Sequence, residues 1–435
     1  MNTRTVLEAA LTWTGSRFQP GIRIAIDATG RIEAAGPLEL EPTERLPRRA
    51  LIPGLVDAHS HAFQRGLRGH TERFLQGTGS FWTWREAMYA LADSLDGPTF
   101  RDLCVRAFEE MRDAGITTVG EFHYLHHGPD RPDGALDPLV LEAASHVGIR
   151  LVLLQSYYRT GGIDGPLLHE QRRFGCGSPN EYWEGLDRLA ETLDPATQTL
   201  GVAPHSIRAA RLDDVAILHA EARRRGLPFH MHVEEQRREV EECITAYGEP
   251  PMALLLRTLP SMEGVVAVHC THTRPEDLSA FVGAGGSVCV CPLTEANLGD
   301  GLPDLSVIAG LADRLCLGTD SNARIGMVEE MRWLEYGQRL KHERRGVLAG
   351  PDGGVAGALL SMATVGGSQA LGVEAGAIEA GRWADLATLD LDAPELAGCD
   401  ADSLPDAWVF GAGDRAIAAT CVGGRWREVS RPDSD

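Results

Sequence analysis

The chain has 435 residues, 43% hydrophobic and 24% charged, which supplies a large core and excludes intrinsic disorder. Its 62 acidic against 41 basic residues leave a net charge of −21, so neither nucleic acid nor a membrane surface is expected as a partner. Any anionic substrate would need cations placed in its pocket.

From the N-terminus, "MNTRTVLEAALTWTGSRFQPG" has no apolar stretch followed by a small-residue cleavage site, so no secretory signal is expected. No run of about 18 apolar residues follows, and nothing is expected to span a membrane. Nine scattered cysteines, an odd number, fit reduced thiols and a cytoplasmic location. The first fifty residues read as short strands, with "IRIAIDATGRIEAAG" reversing at 27–30 and "PTERLPRRA" as a polar link. Strand-rich texture returns in "GAIEAGRWADLATLDLDAP" and "AIAATCVGGRWREVS". These ends are expected to pair, making a small β-sandwich domain of residues 1–50 plus 373–435.

Residues 51–372 alternate. Eight β-rich runs are "LIPGLVDAHSH", "ITTVGEFHY", "IRLVLLQSYY", "TLGVAPHS", "PFHMHVEE", "GVVAVHCTH", "GSVCVCP" and "RLCLGTDSN". Helical patterns separate them, among them "PTFRDLCVRAFEEMRDAG", "LDDVAILHAEARRRG" and "RPEDLSAFVGAGG", each running out into glycine. Eight strands alternating with helices predict a (β/α)8 TIM-type barrel within an α/β fold, with a doubly wound open sheet as the competitor. "TERFLQGTGSFWTW", rich in glycine and aromatics, reads as a lid or an interface loop.

Barrel active sites collect where strands end, and there the ionisable residues pile up. His59 and His61 end the first run. As an i, i+2 pair they share a strand face, an arrangement suited to a metal ion. Glu121 to Tyr124 end the second run and His205 the fourth. His230 and His232 share a face of the fifth, so spacing alone does not say which could be a ligand. His232 lies nearer the strand end, with Glu235 three residues on, a distance that suits a carboxylate moving protons beside a metal. His230 is expected to be a hydrogen-bonded core residue, and Glu234 to face solvent or cap a helix. His269 ends the sixth run and Asp320 the eighth. Cys289 and Cys291, with no second cysteine pair, read as core. Three imidazoles and Asp320 would hold one Zn2+ with a position open for water, Fe2+ or Mn2+ being alternatives. A lysine-bridged metal pair is not expected, because the single lysine, Lys341, lies in a helical stretch.

"PGLVDAHSHA", the His-x-x-Glu of "HVEE", His269 and "GTDSN" resemble the amidohydrolase superfamily, in its mononuclear deaminase branch. "AFQRGLRG", "SFWTWREAMY", "TTVGEFHYLHH" and "APHSIR" resemble the formimidoylglutamate deiminase family within it. The resemblance implies hydrolysis of N-formimidoyl-L-glutamate to N-formyl-L-glutamate and ammonia, a step of histidine degradation. It implies zinc on His59, His61, His232 and Asp320, with Glu235, His269 and Asp320 catalytic. It further implies substrate contacts from Gln64, Arg85, Tyr124, His205 and Arg208, and a homodimer. Arginine binds carboxylate bidentately, so Arg85 and Arg208 suit a small anionic substrate derived from an amino acid. A zinc aminohydrolase acting on a heterocycle such as guanine is the nearest alternative. A metal-holding protein without catalysis is the other, and it would be expected to lack Glu235, His269 or Asp320.

Overall fold

The computed structural model describes residues 4–74, 78–129 and 134–429. The N-terminal strands are β1 (Thr5–Trp13), β2 (Phe18–Gln19), β3 (Arg23–Ile26), β4 (Ile32–Gly36) and β5 (Glu44–Pro53). There follow β6 (Leu55–Ser60), β7 (Ile116–His123), β8 (Arg150–Tyr157), β9 (Gln198–Pro204), β10 (Phe229–Val233), β11 (Val265–His269), β12 (Ser287–Val290) and β13 (Leu315–Leu317). Last come β14 (Leu386–Asp390), β15 (Ile417–Val422) and β16 (Arg425–Glu428).

The two ends of the chain join in one sheet of order β16-β15-β14-β5-β1-β3-β4, with β2 on β1. Every pairing is antiparallel except β1 with β5. The sheet holds a small core of its own, Leu7, Ile24, Ile32, Leu51, Leu386 and Cys421 among others. Opposite reaches of the sheet therefore share one apolar cluster, as a layered β-domain requires.

"PTERLPRRA", expected as a link, is instead most of β5, which runs beside β1 at the middle of this sheet. The charges misled because the first half of β5 is only partly covered. Pro47 sits where the register shifts, and Arg48 takes φ +62° there, so the missing donor falls at an irregularity. The run "LIPGLVDAHSH" is likewise two strands rather than one. Its first residues close β5, and the chain crosses at Gly54 into β6. A Cβ on Gly54 would lie 2.0 Å from Thr117 Oγ1, so only glycine passes there.

β6 to β13 pair in sequence order, all parallel, with helices between them. Ring closure comes from a Ser60–Asp320 bridge, with Asp320 N–H donating to His59 O at 2.9 Å and His61 N–H to Asp320 O at 2.9 Å. The closed barrel, not the open sheet, is the architecture. β6, β7 and β8 are buried along their whole length, which is why they read as near-continuous apolar runs. The helix Gly97–Asp113 shows the outer layer's logic. Asp96 caps it by accepting from Thr99 N–H at 2.9 Å, and Phe100, Cys104, Ala107, Phe108 and Met111 form its buried stripe.

The segment read as a lid or interface loop resolves differently. Residues 75–77 lie outside the described chain, but Phe81 to Trp84 open a helix, Phe81–Ser94, with a Ser80/Thr83 capping box. Its aromatics are the first turn of a helix whose next turn carries Arg85.

Candidate active site

The carboxyl ends of the barrel strands gather His59, His61, His232 and Asp320, whose potential ligand atoms all lie within 4.8 Å of one another. His61 Nε2 is 3.4 Å from His232 Nε2, which is 3.1 Å from His59 Nε2, and Asp320 Oδ1 is 3.3 Å from both His59 Nε2 and His61 Nε2. The tautomers are set from behind. His61 Nδ1 donates to Phe122 O at 2.7 Å and His232 Nδ1 to His205 O at 2.9 Å. Nε2 of each of these two therefore turns a lone pair to the same point. Lone pairs at such separations repel unless a cation lies between them, and ligands about 2.0–2.1 Å from a tetrahedral ion are themselves about 3.3 Å apart. The donor set fits a divalent metal. Burial depresses the histidine pKa values, that of His59 to about 3, which keeps the imidazoles neutral as ligands must be.

Two backbone devices hold these donors. Asp57, buried beneath them, accepts from Thr319 Oγ1 at 2.6 Å, Thr319 N–H at 3.0 Å and His59 N–H at 3.2 Å, tying the first strand to the last. Glu121 accepts from Ala62 N–H at 2.7 Å and so fixes the turn just after His61. Burial pushes the Asp57 carboxyl up to about 7 and that of Glu121 to about 8. Moreover Glu234, His269, Cys270, Asp320 and Asn322 all take positive φ, between 47° and 73°, at the ends of β10, β11 and β13. Left-handed backbone costs a non-glycine residue about 1–2 kcal/mol. Such strain gathered at one rim marks a functional site.

The site opens into a cavity of about 540 Å³. Of the residues singled out from sequence, His61, Gln64, Arg85, Tyr124, His205, Arg208, His232, Glu235, His269 and Asp320 line it. His59 sits behind them, fully buried. Gln64 Nε2 donates to Tyr124 Oη at 2.6 Å, and Gln64 Oε1 has no partner among the described residues. Glu235 Oε1 and Asp320 Oδ2 each stand 4.0 Å from His269 Nε2. Burial opposes protonation of His269, but Glu295, Glu235 and Asp320 together outweigh it and raise its pKa to about 10.

The two arginines differ in state. Arg85 makes no ion pair with a carboxylate among the described residues; its guanidinium lies over Trp82 at 4.3 Å and Tyr89 at 5.5 Å. Arg208 is engaged: Nη2 meets Glu235 Oε2 at 3.2 Å, and Nε stands 3.8 Å from Glu239 Oε2.

His230 is a core residue as expected, donating from Nε2 to Ala370 O at 2.9 Å. Glu234 does not face solvent. It is 1% exposed and accepts from Met252 N–H at 2.8 Å, capping the helix Pro251–Thr258. Cys289 and Cys291 are core, in a cluster with Ala58, Val266, Val268 and Cys316. Cys291 also lies within ligand distance of His269 and Asp320, but burial raises its thiol pKa and disfavours the thiolate a metal needs. A third group, His123, His126 and Asp137, is not part of the cavity lining and forms a hydrogen-bonded network. Asp137 Oδ1 takes His123 Nε2 at 2.9 Å and His126 Nδ1 at 3.0 Å, and Gln155 donates to Oδ2 at 2.7 Å.

Sequence reasoning missed Glu295, Glu239, Arg238 and the aromatic wall. Glu295 lies 3.4 Å from His269 Nδ1 and accepts from Cys291 N–H at 3.1 Å, while Arg238 stacks on Trp82 at 4.6 Å. Phe81, Trp82, Tyr158 and Phe174 line the cavity. Glu239 and Arg238 stood in plain view after "HVEE", yet their spacing is that of any charged helix. No helix among the described residues is long and apolar enough to cross a membrane.

The model of the amidohydrolase family matches residues 50–427. Over 413 residues the chain is 39% identical to a formimidoylglutamate deiminase of Pseudomonas aeruginosa, covering 93% of this chain and 90% of that one. An amidohydrolase structure from Brucella melitensis superposes with a TM-score of 0.88 at 33% identity, over 97% of this chain and 94% of that one. An adenosine deaminase from Xanthomonas campestris, with bound zinc, shares the fold at a TM-score of 0.81 and 23% identity, over 99% and 94% of the two chains.

Proposed function

Because the chain belongs to the amidohydrolase family, we propose that it hydrolyses N-formimidoyl-L-glutamate to N-formyl-L-glutamate and ammonia, a step of histidine degradation, with one zinc ion. The observation that carries the substrate is Arg85. It is a cation without an acidic partner among the described residues, in a chain of net charge −21, facing the same cavity as the cluster of three histidines and Asp320. An uncompensated guanidinium in an aromatic wall suits a substrate carboxylate.

A divalent ion held by His59, His61, His232 and Asp320 supplies Lewis-acid chemistry and brings the pKa of water at the site down to about 7. The protein's own groups do the rest. Arg85 and Arg208 orient the two carboxylates, and Gln64 and Tyr124, hydrogen-bonded to each other, line the same cavity. Glu235, its Oε1 directed to His269, moves protons and delivers one to the departing nitrogen. His269, backed by Glu295, stabilises the negative charge that develops as water adds to the formimidoyl carbon. The aromatic side chains exclude bulk water.

The same aromatic wall favours a second reading, a flat heterocycle such as guanine stacked on Trp82 or Tyr158. Ammonia release by the metal-loaded protein from N-formimidoyl-L-glutamate, N-formimidoyl-L-aspartate and guanine separates the two. The proposal expects the glutamate compound to win, with the shorter aspartate compound weaker because its far carboxylate falls short. Turnover of guanine alone would overturn it.

A further inference from the structure

Arg208 stands between two acids. Its Nη2 lies 3.2 Å from Glu235 Oε2, while its Nε is 3.8 Å from Glu239 Oε2, too far for a hydrogen bond. The group is largely buried: the side chains of Arg208, Glu235 and Glu239 are 10%, 8% and 0% exposed. Among the described residues Arg208 Nε has no hydrogen-bond partner, and neither oxygen of Glu239 has one. Burial accordingly pushes the Glu239 carboxyl up to about 7, against the pull of Arg208. A buried carboxylate left unpaired beside an unpaired donor is costly, and a shift of the guanidinium by about 1 Å would satisfy both. The backbone would not need to follow, since Arg208 O is held by Gly162 N–H at 2.9 Å and Thr160 Oγ1 at 3.3 Å.

We propose that a substrate carboxylate acts as a switch on Arg208, drawing its guanidinium off Glu235 and onto Glu239, so that the proton carrier is released only when an acidic substrate is in place. The inference rests on the deiminase reading above. In the resting state the guanidinium occupies Oε2 of Glu235, one of the two oxygens of the carboxylate that moves protons. A carboxylate arriving at the Nη groups outcompetes Glu235, and the Arg208 Nε then closes on Glu239. Glu239 is thus a positioning residue: it touches no reacting atom and gives Arg208 a second resting place. The consequence is a kinetic signature. Binding energy from the carboxylate appears in kcat and not only in KM, as when remote contacts are used in the transition state. An amidine lacking the carboxylate finds Glu235 still held.

The test uses the substrate in two pieces. Formamidine carries the reacting group, and glutarate carries the rest of the carbon frame with both carboxylates. With the metal-loaded wild-type protein, saturating glutarate is expected to raise kcat for formamidine about tenfold or more. Glu239→Gln, nearly isosteric, should blunt that stimulation and lower kcat for N-formimidoyl-L-glutamate more than it raises KM. Arg208→Gln should abolish the stimulation. Glutarate that leaves formamidine turnover unchanged or inhibits it, in a protein that turns over N-formimidoyl-L-glutamate, overturns the switch alone. Stimulation that survives in Arg208→Gln overturns it as well. No turnover of N-formimidoyl-L-glutamate removes the deiminase reading and the switch with it.

Discussion

Replacing Arg85 by methionine removes one cation while keeping a side chain that can lie on Trp82 and Tyr89. In the free protein Arg85 has no acid to leave behind among the described residues, so folding stability should stay within about 0.5 kcal/mol of wild type. What is lost is a charge-assisted pairing with a substrate carboxylate, about 1.5–3 kcal/mol. At about 1.4 kcal/mol per factor of ten, kcat/KM for N-formimidoyl-L-glutamate should fall about 10- to 150-fold, most of it in KM. Arg208→Met is the contrast. It strands Glu235 and Glu239 beside each other in a largely buried site, and removing one partner of a buried pair costs about 3–5 kcal/mol. Steady-state ammonia release together with thermal unfolding reads both. An Arg85→Met protein with wild-type kcat/KM, or one as destabilised as Arg208→Met, refutes the assignment of Arg85 as the free clamp.

Glu235→Gln should keep its full metal content by elemental analysis, because Glu235 is outside the ligand cluster, while kcat drops about 10²- to 10⁴-fold. Near-normal kcat would take the proton-carrying role away from Glu235. Glu330 tests a buried acid away from the cavity. It is 0% exposed, accepts from Leu293 N–H at 2.9 Å, and burial pushes its pKa well above the usual carboxylate range. The folded state therefore keeps a proton that the unfolded chain releases, and this group's contribution to stability falls as pH rises above the unfolded value. Glu330→Gln, which keeps an acceptor for Leu293, should match wild type in unfolding temperature near pH 4.5 and exceed it increasingly toward pH 8. A gap that shrinks with rising pH would show that Glu330 is charged in the fold.

Much of the site could be read from the chain because strand ends are chemically conspicuous. His59, His61, His232, Asp320 and Glu235 each follow an apolar run, and the barrel turns such ends toward one rim. What escaped has physical reasons. β5 hides behind Pro47 and four charged residues, since half of it is only partly covered and its proline falls at a bulge. The helix Phe81–Ser94 was masked by glycine and serine at its start, although Ser80 and Thr83 carry its capping box. Glu234 and Glu235 are adjacent in sequence, but φ +54° at Glu234 sends one into a helix cap and the other into the cavity. Glu239 and Glu295 look like ordinary helix acids until tertiary contacts bury them against Arg208 and His269.

X-ray absorption at the metal edge of the purified protein tests the convergence of the four donors most directly. One first-row ion per chain, with nitrogen and oxygen neighbours at about 2.0–2.2 Å and no sulfur, is the predicted result. A sulfur neighbour at about 2.3 Å, as a shift of the ion toward Cys291 would supply, or a second metal within 4 Å, would contradict it.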